Sequence, residues 1–154
     1  MLFRSGMNSQ AAISSFIKSY FKIVKECTSM TDCFAPEYKT MKGNVYSSYT
    51  KNIPSFVLAN GASIRPSYSK AGNKISNVGI DINGQQGPNI LGRDLVFFAV
   101  YNNGLIDDYI EGLEPPLSKD DRDDVFTAQC NGGAPDSGWG CFGKILNDNW
   151  EMTY

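Results

Sequence analysis

Apolar residues recur at Ile13, Phe16, Ile17, Tyr20 and Val24, the i, i+3, i+4, i+7 and i+11 positions of one helical face. This stripe predicts one amphipathic helix over residues 10–26 that packs on a sheet. Ser9 is placed to cap its start, and Lys18, Lys22 and Lys25 lie away from the stripe. Polar residues 28–32 then form a loop. Residues 34–50 hold Tyr38, Tyr46 and Tyr49 with no period, which predicts a loop packed on the core. After that the pattern shortens. Phe56–Ala59 is an apolar run, and Asn60-Gly61 is a hairpin signal, because a type I′ turn needs positive φ at both central residues. Ala62–Arg65 is the expected return strand. Residues 74–82 alternate at Ile75, Val78, Ile80 and Ile82, with a slip at Gly79. Leu95–Tyr101 (LVFFAVY) is the most hydrophobic run and predicts a central strand. Asn103-Gly104 is a second hairpin signal leading into Leu105–Tyr109. Glu114–Asp124, rich in Pro and Asp, reads as a surface loop. Trp139–Leu146 reads as a short helix and Trp150–Tyr154 as an extended tail. Helix first, then a meander, then a closed tail is an α+β order.

Composition changes this picture by exclusion. The 154 residues fit one domain, residues 1–154, with residues 1–9 expected to be a tail. Fourteen Lys and Arg against 16 Asp and Glu leave a net charge of -2, which is no basic footprint, so nucleic acid is not expected as a primary partner. No histidine is present, which removes Ser-His-Asp and Cys-His catalysis and His-ligated zinc. No stretch approaches the roughly 20 apolar residues of a membrane span.

Cys27, Cys33, Cys130 and Cys141 form two local pairs. An even count in local pairs suggests two short-loop disulfides in an oxidising compartment. One four-thiolate zinc site is the other reading, weakened by the absence of C-x2-C spacing, and four cysteines allow three pairings. Disulfides require export, yet residues 1–10 carry no signal-peptide apolar run, so an export segment is expected to precede this chain or to have been removed from it.

Candidate chemistry is sparse. The segment Asp81–Asp94 (DINGQQGPNILGRD) offers Asp81, Asn83, Asn89 and Asp94 as hard oxygen ligands for Ca²⁺. It lacks the Gly and Glu that an EF-hand needs at its sixth and twelfth positions, where Gln86 and Gly92 stand. The competing account is a rigid strand connection whose Asn and Asp side chains bond their own backbone. Asp120, Asp121, Asp123 and Asp124 read as a solvated loop, with a second cation site as the alternative. Ser15-Phe16-Ile17-Lys18 and Ser67-Tyr68-Ser69-Lys70 match S-x-x-K without the partner motifs that give it meaning. Gly138–Gly143 matches G-x-G-x-x-G in letters but lacks the βαβ context of a dinucleotide site. Trp139, Trp150 and the tyrosines are core or a binding platform.

Five segments stand together: Phe21–Cys27, the second cysteine Cys33, the hairpin FVLANGASI (Phe56–Ile64), the loop Asp81–Asp94 and the ending GCFGKILNDNWEMTY (Gly140–Tyr154). Taken together they resemble bacterial type IV pilin-like proteins and type II secretion pseudopilins. The resemblance implies a long N-terminal helix packed on an antiparallel sheet of about four strands, and no catalysis. It implies other subunits as partners through an apolar N-terminal half-helix that this chain lacks, and a place on the periplasmic face or cell surface. No cofactor is required on this reading, and calcium is a minority expectation. The alternative is a secreted or surface-exposed ligand-binding or adhesion module; a hydrolase using the Asp-rich loops is a third, weaker reading.

Overall fold

Residues 6–48 and 52–154 are described by the computed structural model; Tyr49 lies outside them. The Ser9 hydroxyl accepts from Ala12 N at 3.2 Å and starts α1, Gln10–Tyr20, with Ile13 and Ile17 buried. The helix does not continue to residue 26. Phe21 adopts extended backbone (φ −114°, ψ 144°), and Ile23–Cys27 forms strand β1. Two adjacent β-branched residues, Ile23 and Val24, favour a strand when a neighbour supplies the ladder. That neighbour is β2 (Ser55–Leu58), which pairs with β1 antiparallel. Val24 is accordingly 63% exposed, so its fit to the helical stripe was coincidental.

The expected helix on about four strands is therefore corrected. The described residues are mostly β: they form a six-stranded antiparallel sheet in the order β1-β2-β3-β4-β5-β6, with three short α-helices. The other strands are β3 (Ser63–Ala71), β4 (Lys74–Asp81), β5 (Leu95–Tyr101) and β6 (Ile106–Asp107). Both expected hairpins form, but not through type I′ turns: Gly61 (φ 91°) and Gly104 (φ 87°) take positive φ whereas Asn60 and Asn103 do not, and each glycine closes its turn from the fourth position, its N donating to Leu58 O at 2.9 Å and to Tyr101 O at 3.0 Å. Leu95–Tyr101 is an internal strand paired on both sides.

β3 carries Pro66 in its interior, where proline's missing N–H is normally a fault. The strand β2 has already ended there, since its ladder with β3 covers only Phe56↔Ile64 and Val57↔Ser63. The side chain of Gln10 takes over the free edge. Its Nε2 donates to Pro66 O at 2.7 Å, and its Oε1 accepts from Tyr68 N at 2.8 Å. One carboxamide thus stands in for a strand and keys α1 to β3.

On the α1 face, Ile17 packs with Phe56, Ile64 and Val78, flanked by Phe98 and Val100. Alternation sends Leu95 and Phe97 to the other face, into a larger core with Met30, Phe34, Tyr38 and Leu91 from the crossing loops. Gly79 on β4 leaves the room Phe97 needs, because a Cβ there would meet the ring at 2.7 Å. The same ring carries the Arg65 guanidinium 4.9 Å from its centroid.

Beyond β6 the chain differs from the expected loop. The Ser118 hydroxyl accepts from Asp121 N at 3.0 Å and caps α2, Lys119–Val125. A wide π-type turn at Phe126–Cys130 follows, and α3 spans Cys141–Asn147. The pairings Cys27–Cys33 and Cys130–Cys141 both form, and no described cysteine is free.

Candidate functional site

The four expected calcium ligands fall in the β4–β5 connection, but the structure employs the two carboxylates otherwise. Asp81 is fully buried at the end of β4 and accepts from the Tyr38 hydroxyl and from Asn83 N at 3.1 Å. Burial pushes its carboxyl above the usual carboxylate range, the Tyr38 hydrogen bond opposes this, and nearby Asp94 adds to the rise. Asp94 Oδ2 accepts from Ile90 N at 3.1 Å. Asn83 Nδ2 donates to Gly87 O at 3.3 Å, and Asn89 sits in the left-handed region at φ 59°. These are the Asx-type contacts of a rigid connection. The side-chain oxygens of Asn83 and Asn89 are nonetheless buried without a hydrogen-bond partner. By chemical type, carboxylate and carboxamide oxygens are hard donors of the kind calcium takes. Among the described residues, no three His, Cys, Asp or Glu side chains gather as a metal-holding group.

The run Asp120–Asp124 is helix surface and cap. Asp121 accepts from Ser118 Oγ at 2.6 Å, and Asp123 pairs with Lys144 at 3.4 Å. The acidic residues that matter energetically are Asp107 and Asp108, which the sequence reading passed over. Arg122 grips Asp107 with two bonds, Nε to Oδ1 at 2.9 Å and Nη2 to Oδ2 at 2.7 Å. Asp107 also accepts from Leu117 N and Asp108 N. Asp108, wholly buried, accepts from Gly140 N at 2.9 Å, Gly143 N at 2.8 Å and Tyr109 N at 3.3 Å. Burial raises its carboxyl to about 6, against the pull of these N–H groups. The only sequence signal was two adjacent acids directly after a hairpin, and the distant partners Arg122, Gly140 and Gly143 lie 15 to 35 positions away.

Gly138–Gly143 is a packing device with no cradle for phosphate. A Cβ at Gly138 would meet Phe97 at 2.6 Å, at Gly140 (φ 95°) it would meet Val125 O at 2.6 Å, and at Gly143 it would meet Asp108 Oδ2 at 2.9 Å. The aromatics divide. Tyr38 and Tyr101 are core, whereas Trp150 is 65% exposed and touches Phe142 edge-on. Trp139 and Tyr109 hold the ammonium of Lys74, 5.8 and 3.9 Å from their ring centroids, and burial lowers the pKa of that lysine.

A groove beside α1 was invisible to sequence reasoning. Six strands at ~4.8 Å spacing span roughly 24 Å, more than a helix ~10 Å across can cover. An 11-residue helix seated on β3 leaves the β4–β6 part of that face open. The result is a groove of about 560 Å³ between α1 and the sheet. Met7, Ile13, Phe16 and Phe21 line one wall, and Val78, Phe98, Val100 and Ile106 line the floor and far wall. Among the described residues its lining includes no carboxylate, amine or thiol; its hydroxyls are those of Tyr20, which is 60% exposed, and Ser76, which already donates to Ser67 O at 2.8 Å. At the rim, Tyr20, Phe21, Leu105 and Ile106 are each at least 40% exposed.

No helix among the described residues is long and apolar enough to cross a membrane. No protein-family model, curated protein or solved structure matches the chain.

Proposed function

We propose that this chain is a non-catalytic structural subunit of an exported assembly, pilin- or pseudopilin-like in role, that meets neighbouring subunits by burying apolar surface. The groove beside α1 carries the reading: an apolar cavity without acid, base or thiol suits packing rather than reaction. Its exposed rim at Tyr20 and Phe21, continued by Val24 on β1, extends the contact face. Two buried disulfides favour an oxidising compartment, which supports a role on the periplasmic face or at the cell surface. The resemblance supports the role only, since its fold is the one corrected above. Phe21→Glu in the producing cell tests the proposal. The exposed site tolerates the charge, so folded, exported protein missing from the assembly is expected. Normal incorporation of the variant would sink the reading.

A surface-adhesion module is the alternative, supported by the exposed indole of Trp150. Trp150→Ala would then abolish binding to a glycan or host-surface panel while leaving assembly intact. Calcium in the Asp81–Asp94 loop is compatible with either role, supported by the two orphaned carboxamide oxygens. If it binds, millimolar Ca²⁺ raises Tm and a chelator reverses the gain; identical melts would leave the loop a rigid connection.

A further inference from the structure

On the sheet face away from α1, alternation sets Arg65 and Ser67 of β3, Asn77 of β4 and Phe97 of β5 side by side. The register aligns Arg65 with Gly79, Gly79 with Phe97, and Ser67 with Asn77. Tyr46, Asp136 and Trp139 come over this face from a crossing loop and the C-terminal region, and a cavity of about 200 Å³ stays between them and the sheet. Its polar groups are of both kinds. Arg65, 6% exposed, brings N–H donors and a positive charge, and Asp136 brings lone pairs and a negative charge. Both act on the Tyr46 hydroxyl: burial pushes it up to about 12, Arg65 opposes the rise and Asp136 adds to it. The Tyr46 and Ser67 hydroxyls each donate and accept. Asn77 Oδ1 is buried with no hydrogen-bond partner, a costly arrangement that a donor entering the cavity would relieve.

This mixture selects the ligand. A carboxylate would satisfy the donors and face Asp136, and an ammonium would satisfy the acceptors and face Arg65. A neutral ring bearing several hydroxyls serves donors and acceptors at once, and its C–H face suits the indole of Trp139. We propose that this cavity binds one neutral monosaccharide unit of a glycan, with Asn77 and Asp136 accepting from its hydroxyls, Trp139 against its C–H face, and Arg65 and Tyr46 completing the polar wall. The space is smaller than the roughly 300–1,000 Å³ of a drug-sized pocket, so one sugar ring fills it and any further unit lies outside. The inference goes beyond the assembly role and does not depend on it.

The test titrates the isotope-labelled full chain with glucose, galactose, mannose, N-acetylglucosamine and N-acetylgalactosamine, each to about 50 mM, and reads the Asn77 side-chain amide and the Trp139 indole N–H by NMR. At least one sugar shifts both signals saturably with a Kd of about 1–10 mM, whereas acetate and methylammonium at the same concentration shift neither. Asp136 is exposed, so Asp136→Ala folds. Asp136→Ala and Asn77→Ala each weaken the Kd by roughly three- to tenfold, read at Trp139. Trp150→Ala leaves it unchanged, which separates this cavity from the exposed indole. No shift with any of the sugars overturns the proposal. Tighter binding of acetate or methylammonium than of the sugars overturns it too, as does a Kd that is the same in both cavity variants as in the parent chain.

Discussion

The two ends of the sheet are closed by opposite means. At the β5–β6 end, the C-terminal region is held by a disulfide, a bidentate Arg122–Asp107 pair and three N–H groups on Asp108. Towards the β1 end, α1 is held by apolar contact, the Gln10 carboxamide clamp on β3 and one solvent-exposed ion pair, Lys18–Glu26. Directional and covalent contacts fix one geometry, and a partner that leaves exposes a buried charge. Apolar contact has no preferred direction, so one apolar occupant can replace another at little cost. The loosely held element, α1, is also the one beside which the groove stays open.

Variants sharpen this contrast. The largest loss is expected for Arg122→Ala, which strands the buried Asp107 carboxylate. Breaking such a pair costs about 3–5 kcal/mol, visible as a drop in the urea midpoint; a loss below about 1 kcal/mol would show that the C-terminal end does not rest on its polar lock. Next comes Cys130→Ala with Cys141→Ala. Chain entropy for the 11-residue separation gives roughly 3 kcal/mol, against about 2 for the 6-residue separation of Cys27–Cys33. Reversed order in thermal unfolding would shift the weight to the β1 edge.

The third prediction is a pH slope. The Asp108 carboxyl sits near 3.8 in the unfolded chain and at about 6 in the folded protein, so the native state binds that proton more tightly. The associated stability is full below about pH 4 and is lost as pH rises to about 6, on the order of 2–3 kcal/mol. Asp81 is raised as well and adds slope in the same sense. Asp108→Asn, though less stable overall, should flatten the Tm profile between pH 4 and 7; an unaltered slope would show that Asp108 is already ionised when folded. The smallest effect belongs to the α1 end. Ser9→Ala removes one cap bond and costs about 1 kcal/mol. A loss approaching that of Arg122→Ala would erase the distinction between the two ends.

Contacts close in sequence were the legible ones. The Ser9 cap, the Asn60-Gly61 and Asn103-Gly104 turns and the two cysteine pairs are each settled within about a dozen residues. β1 was misread because Val24 continued the helical period while its ladder partners wait some 30 positions downstream. α2 hid behind Pro and Asp although Ser118-x-x-Asp121 is a cap pattern. The Asp108 lock and the groove depend on what long-range packing brings together and leaves uncovered, which no local pattern records. Of the expected calcium ligands, the two asparagines keep unused oxygens, whereas the two aspartates accept hydrogen bonds from their own surroundings.

The backbone of Gly92 lies directly on the Cys130–Cys141 bridge: a Cβ there would sit 3.0 Å from both sulfurs, and neither cysteine is more than 1% exposed. Thiol–disulfide exchange needs a thiolate to reach a sulfur, and on this side the approach is closed by main chain. Reduction must therefore wait for the connection between β4 and β5 to lift. Its rate becomes a clock for that local opening, slow in a mild reductant however much is added, and accelerated only by whatever loosens the loop.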